Sequence, residues 1–149
     1  MDAFQNTVTI RRPAGEVFAF LADLENVPRW NHAIESTTKT SAGPVGVGST
    51  YRQIRSQPRR SEEGFEVTAF EPAAHLGIEG EIGPFHARLD YRLEPVEGGT
   101  RLLNGVELEA GSTVSKLLAP LAASRVKAAV AENLDSLRRI LESDRRSSG

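Results

Sequence analysis

Along residues 4–11 the side chains alternate in character. Phe4, Val8 and Ile10, with Asn6 in the same phase, fall opposite Gln5, Thr7, Thr9 and Arg11. A period of two marks a strand with one buried face. Pro13 ends that pattern and suits the first turn of a helix. Val17, Phe18, Leu21 and Leu24 then recur at helical spacing until Asn26-Val27-Pro28 interrupts them. A second short turn over 28–30 places Trp30 at the hinge between helices and sheet.

From Ile34 onward apolar-rich segments are punctuated by Gly and Pro. Strands are predicted over 34–40, 49–56, 65–70, 76–82, 85–93 and 100–109. The turns between them carry Gly43-Pro44, Pro58, Pro72, Gly83-Pro84, Pro95 and Gly98-Gly99. Connections this short favour antiparallel meanders, because parallel strands need long crossovers. Ser112 then suits a helix N-cap, and the chain to about Ser143 is rich in Ala, Leu, Lys, Arg and Glu. Pro120 predicts a short helical turn and a kink before the long helix. Leu117, Leu118 and Leu121 share one face of that segment, while Val126, Val130, Leu134, Leu137 and Leu141 define another. From about 144 the tail is polar. Residues 1–149 read as a single domain.

The order of elements is strand, two short helices, six strands and one long helix. It resembles the START-like superfamily (SRPBCC), and within it the polyketide cyclase/dehydrase-type proteins. The phrases that carry the likeness run from Pro13-Ala14-Gly15-Glu16-Val17-Phe18-Ala19-Phe20-Leu21-Ala22-Asp23, with Asn26 and Trp30, to Gly48-Ser49-Thr50-Tyr51-Arg52-Gln53. They continue through 65–72, Gly83-Pro84-Phe85, Gly98-Gly99-Thr100-Arg101 and Leu118-Ala119-Pro120-Leu121. The resemblance covers residues 3–143. It implies an α+β helix-grip fold, a curved antiparallel seven-stranded sheet around a long C-terminal helix, with room inside for an apolar small molecule.

Composition narrows the chemistry. The chain has no cysteine, which excludes disulfides, thiolate catalysis and cysteine-ligated zinc. Its three histidines, His32, His75 and His86, lack metal-ligand spacing, so neither metal nor cofactor is expected. A net charge of −2 gives no global attraction to nucleic acid. Arg52, Arg55, Arg59 and Arg60 cluster near one hairpin, but Glu62 and Glu63 follow directly and aromatics for base stacking are lacking beyond Tyr51. No segment reads as a signal peptide or a membrane span, so a soluble, cytoplasmic protein is expected. A homodimer is left open.

Strand phase sorts the interior. Phe4, Val8 and Ile10, Phe65, Val67 and Ala69, Leu76, Ile78 and Ile82, Phe85, Ala87, Leu89, Tyr91 and Leu93, and Leu102, Val106 and Leu108 are expected to face the long helix. Small inner positions at Ala69, Gly80 and Ala87 would leave volume for a ligand. Asn6 and Asn104 share the inner phase. The family-like register turns Tyr51, Gln53 and Arg55 inward, with Arg55 a candidate partner for a carboxylate or phenolate. Glu62, Glu63, Glu79 and Glu81 are expected to point outward. Trp30 could stack on a flat ligand or seal the helix–sheet junction.

Candidate ligand contacts are therefore Trp30, Tyr51, Gln53, Arg55, Phe65, Leu89, Tyr91, Asn104, Leu117 and Leu121. No catalytic residue is assigned. His86 and Asp90 lie on one strand face, but that face carries Arg88 and Arg92 and reads as solvated. His75 reads as surface. His32, beside Trp30, is the better acid–base candidate. The 43–48 loop could serve as a lid. Three functions remain open: binding a small hydrophobic molecule of aromatic, polyketide-like or lipid-like kind, a cofactor-independent cyclase or dehydratase, and a partner-binding or chaperone-activating domain.

Overall fold

A computed structural model describes residues 2–110 and 113–143. Seven strands form one antiparallel sheet: β1 (Asp2–Ile10), β2 (Ile34–Lys39), β3 (Thr50–Arg55), β4 (Ser61–Glu71), β5 (His75–Ile82), β6 (Phe85–Val96) and β7 (Gly99–Ala110). Their order across the sheet is β1-β7-β6-β5-β4-β3-β2. Each neighbouring pair from β2 to β7 is joined by a short connection, as the meander reading requires. β1 closes the far edge against β7, with Asn6 opposite Asn104. Helices α1 (Ala14–Ala22) and α2 (Val27–Trp30), linked by a 3-10 turn at Leu24–Asn26, lie between β1 and β2. The long helix α3 spans Thr113–Ser143.

The sheet curves around the apolar stripe of α3. Leu134, Leu137 and Leu141 join Ile10, Leu21, Leu24, Leu76 and Leu102 in the main core. A smaller cluster of Phe85, Ala87, Val106 and Leu108 packs with Val126. Two polar ties fix the helix to the sheet edge. The Nε of Arg12 donates to the carbonyl of Leu141 (2.8 Å), satisfying a carbonyl of the last turn. Asn6 donates to the carbonyl of Lys127 (3.2 Å), which explains an amide in the inner phase of β1.

Several expectations are corrected. Helix α3 continues through Pro120 without a break, since losing one intrahelical bond need not end a helix. Strand β4 begins at Ser61, four residues before its apolar run, because Ser61 and Glu62 pair with Arg55 and Ile54. A bulge between Val67 and Ala69 re-aims the end of β4. Phe70 thereby packs edge-on against Phe18, with ring centres 5.2 Å apart, rather than facing outward. The proposed cap Ser112 and the tail from 144 lie outside the described residues.

Candidate functional site

Between the sheet and α3 lies a pocket of about 150 Å³. Leu21, Leu24, Val27 and Trp30 close it from the helical segment. Phe65, Ile78, Ile82 and Leu89 form the sheet side, and Val126, Val130 and Leu134 the α3 side. Its polar wall groups are few: Asn31, Gln53, Arg55, Glu81, Tyr91 and Asn133. An apolar cavity of this volume is large enough to hold a benzene-sized ring.

Behind the polar wall lies a buried ion pair. Glu63 is 3% exposed and points inward, against the expectation that it faces solvent. Its phase is that of Phe65 and Val67, so β4 carries it to the inner face. Glu63 Oε2 accepts from Arg55 Nε (2.9 Å), Ser61 Oγ (3.1 Å) and the Gly83 N–H (2.8 Å). Oε1 accepts from Gln53 Nε2 (2.9 Å). Burial works to raise the Glu63 pKa. The hydrogen bonds from Arg55, Gly83 and Gln53, with the Arg55 charge, outweigh it and hold the carboxyl below its usual range. The carboxylate is thus ionised and fully engaged. Arg55 commits its Nε to Glu63 and is itself one of the residues lining the pocket.

Six of the ten sequence candidates meet on the pocket wall: Trp30, Gln53, Arg55, Phe65, Leu89 and Tyr91. Four do not. Tyr51 is buried, but it stacks flat on Phe65 (centroids 5.1 Å apart, planes 8° apart) and does not reach the pocket. Its phenol, raised by burial and by the charges of Glu25 and Asp23, stays protonated. Asn104 is fully buried and donates to the backbone carbonyl of Asp90 (3.2 Å), one strand away from the pocket lining. Leu121 on α3 is 58% exposed. The side chain of Leu117 lies outside the described residues.

Trp30 is buried in the helix–sheet junction and also lines the pocket. Burial holds the Tyr91 phenol far above its ordinary range, so it too is protonated. The small positions divide. Ala69 and Ala87 do not line the pocket. Gly80 does, and because a Cβ there would come within 2.4 Å of the Phe65 Cβ it also permits close strand approach.

The histidines stand apart. His32 is exposed and does not line the pocket, although Asn31 and Ala33 on either side do. His86 pairs with Glu79 (3.1 Å) on the outer face, as its phase requires. His75 is less exposed than expected, held between Asp90 (2.6 Å) and Glu71 (3.2 Å). The 43–48 loop contributes nothing to the pocket lining. Lys39 Nζ donates to the carbonyl of Ser41, and Gly48 N–H donates to the carbonyl of Val67. Among the described residues no group of three or more His, Asp or Glu side chains could hold a metal, and no helix is long and apolar enough to cross a membrane.

Comparison with known proteins gives the frame for this geometry. The family model described as polyketide cyclase / dehydrase and lipid transport matches residues 1–142. Uncharacterized proteins of Mycobacterium tuberculosis and Mycobacterium bovis are 31% identical over 106 residues, which is 66% of this chain. The match spans 60% of the length of those relatives. Among solved structures, the Zhui aromatase/cyclase from a Streptomyces species superposes with a TM-score of 0.79 at 14% identity, covering 99% of this chain and 98% of that one. A protein from Thermus thermophilus gives 0.78 at 17% identity, covering 93% and 95%. The di-domain ARO/CYC StfQ of the steffimycin biosynthetic pathway gives 0.78 at 11%, covering 97% of this chain and 51% of that one. At these identities the structural matches establish a shared helix-grip fold.

Proposed function

This chain belongs to the polyketide cyclase / dehydrase and lipid transport family, and from that premise we propose that it holds a small, largely apolar ring compound between its sheet and α3. The observation that carries the reading is the pocket of about 150 Å³, walled mainly by aliphatic and aromatic side chains with a few polar groups among them. Apolar burial supplies the affinity, at about 25 cal/mol per Å² of surface removed from water. The protonated Tyr91 phenol, Gln53 and Arg55 supply orientation toward oxygen atoms on the ligand.

Trp30 is the sole tryptophan of the chain and lines the pocket, so its fluorescence reports occupancy. Titration with menadione, a flat quenching naphthoquinone, is expected to quench Trp30 saturably. Val130→Phe, which fills the α3 side, is expected to weaken that quenching at least tenfold. Equal quenching in both proteins would place the probe elsewhere and overturn the reading.

A cyclase or dehydratase acting in the same pocket is a second reading, favoured by the cationic Arg55 at an apolar wall. A guanidinium N–H there would donate to a substrate carbonyl while the walls hold a flexible chain folded. Loss of turnover in Arg55→Gln, with ring binding retained, would distinguish catalysis from holding. A partner-binding role has less support. The large exposed apolar side chains among the described residues are Val47 on a loop and Leu121 on α3.

A further inference from the structure

Resting on the pocket reading, we propose that Glu63 sets the ligand class, making the pocket select uncharged oxygen acceptors such as aryl ketones over carboxylates of the same shape.

The argument starts from charge. A lone guanidinium at an apolar wall would attract an anionic ligand, because neutralising it restores what it lost on leaving water. In this protein that role is already filled. Glu63 holds Arg55 at 2.9 Å, is itself 3% exposed, and is fixed by Gln53, Ser61 and the Gly83 N–H as well. Its four donors come from β3, β4 and the turn between β5 and β6, so the carboxylate is a built part of the wall rather than a passing surface contact.

An incoming carboxylate would therefore meet a neutral ion pair. It would have to displace Glu63 from those donors, or sit as a second anion beside a buried one. The remaining charged residue of the pocket lining, Glu81, is also acidic. A ketone oxygen faces neither cost. It accepts from the Arg55 guanidinium and leaves the pair intact, since among the described residues Arg55 directs its Nε alone to Glu63. Specificity here comes from an element that opposes the wrong ligand as much as from one that attracts the right one.

Isothermal titration of 2-acetylnaphthalene and 2-naphthoate at pH 7.5 tests this. The wild-type chain is expected to bind the ketone at least tenfold more tightly. Glu63→Gln keeps the side-chain shape and removes the charge, so it should shift the ratio at least tenfold toward naphthoate. If that variant does not fold, Arg55→Gln tests the same pair from the other side and should widen the wild-type ratio. Wild-type binding of naphthoate as tight as the ketone would overturn the proposal, as would a ratio unchanged in the variants. Binding of neither probe to the wild-type chain would instead remove the pocket reading, and this selectivity with it.

Discussion

Gly80 of β5 lies opposite Phe65 of β4 so closely that a Cβ added at Gly80 would stand 2.4 Å from both the Phe65 Cβ and the carbonyl oxygen of Gly64. One of those obstacles is backbone and cannot rotate away. Gly80→Ala is therefore expected to destabilise the chain by about 1–3 kcal/mol, the usual range for overpacking. Urea denaturation measures this. A variant as stable as the wild type would mean that the β4–β5 pair separates easily at this point.

Glu63 makes stability depend on pH in a definite direction. Its carboxyl sits below its usual value of 4.5 in the folded chain. The unfolded chain therefore takes up the proton first, and the Glu63 contribution is present above about pH 4.5. It is lost as pH falls below that toward the folded value. Glu63→Ala strands Arg55 at the wall and is expected to cost about 3–5 kcal/mol at pH 7. The gap between wild type and variant should narrow at pH 3.5. A gap that stays constant across that range would show that Glu63 contributes through packing alone.

Tyr51 offers the opposite case. Its hydroxyl is buried and has no hydrogen-bond partner among the described residues, while its ring stacks on Phe65. Tyr51→Phe keeps the stack and removes an unsatisfied group, so stability should be unchanged or rise by about 1 kcal/mol. Ring binding should be unaffected. A loss above about 1 kcal/mol in thermal denaturation would show that the hydroxyl is satisfied after all.

Arg12 joins two ends of the fold. Its Nε reaches the carbonyl of Leu141 at 2.8 Å, and its own carbonyl accepts from Thr100 Oγ1 at 2.7 Å. A cation at a helix C-terminus also meets the negative end of the helix dipole. Arg12→Ala is expected to cost about 1.5–3 kcal/mol, the range for hydrogen bonds to charged groups. Amide exchange in the last turn of α3 should accelerate more than in its middle. Uniform acceleration along α3 would argue that Arg12 supports the core rather than the helix end.

The element order and the inner phase of most strands are legible in residue periodicity, because alternation and helical spacing are local properties of the chain. That is why periodicity marks Phe65, Leu89 and Tyr91 as inward, whereas Gln53 is turned inward by the family-like register. The same rule applied to Glu63 would place it inside, since it shares the phase of Phe65 and Val67. Carboxylates are so seldom buried without partners that its charge argues for solvent, and the partners that reverse the argument come from β3 and from the Gly83 turn.

Sequence alone thus determined the element order and which faces are apolar, since both follow from short-range patterning and turn chemistry, and that order carried the resemblance that implied the helix-grip fold. Tertiary structure decided where the empty volume lies. It lies beside Val126 and Val130 rather than around Asn104, and Gly80 serves strand contact as well as the pocket wall. It also decided that Arg55 arrives at the pocket already neutralised. Register shifts such as the β4 bulge, and ion pairs across strands, arise only when distant segments meet, and no local period encodes them.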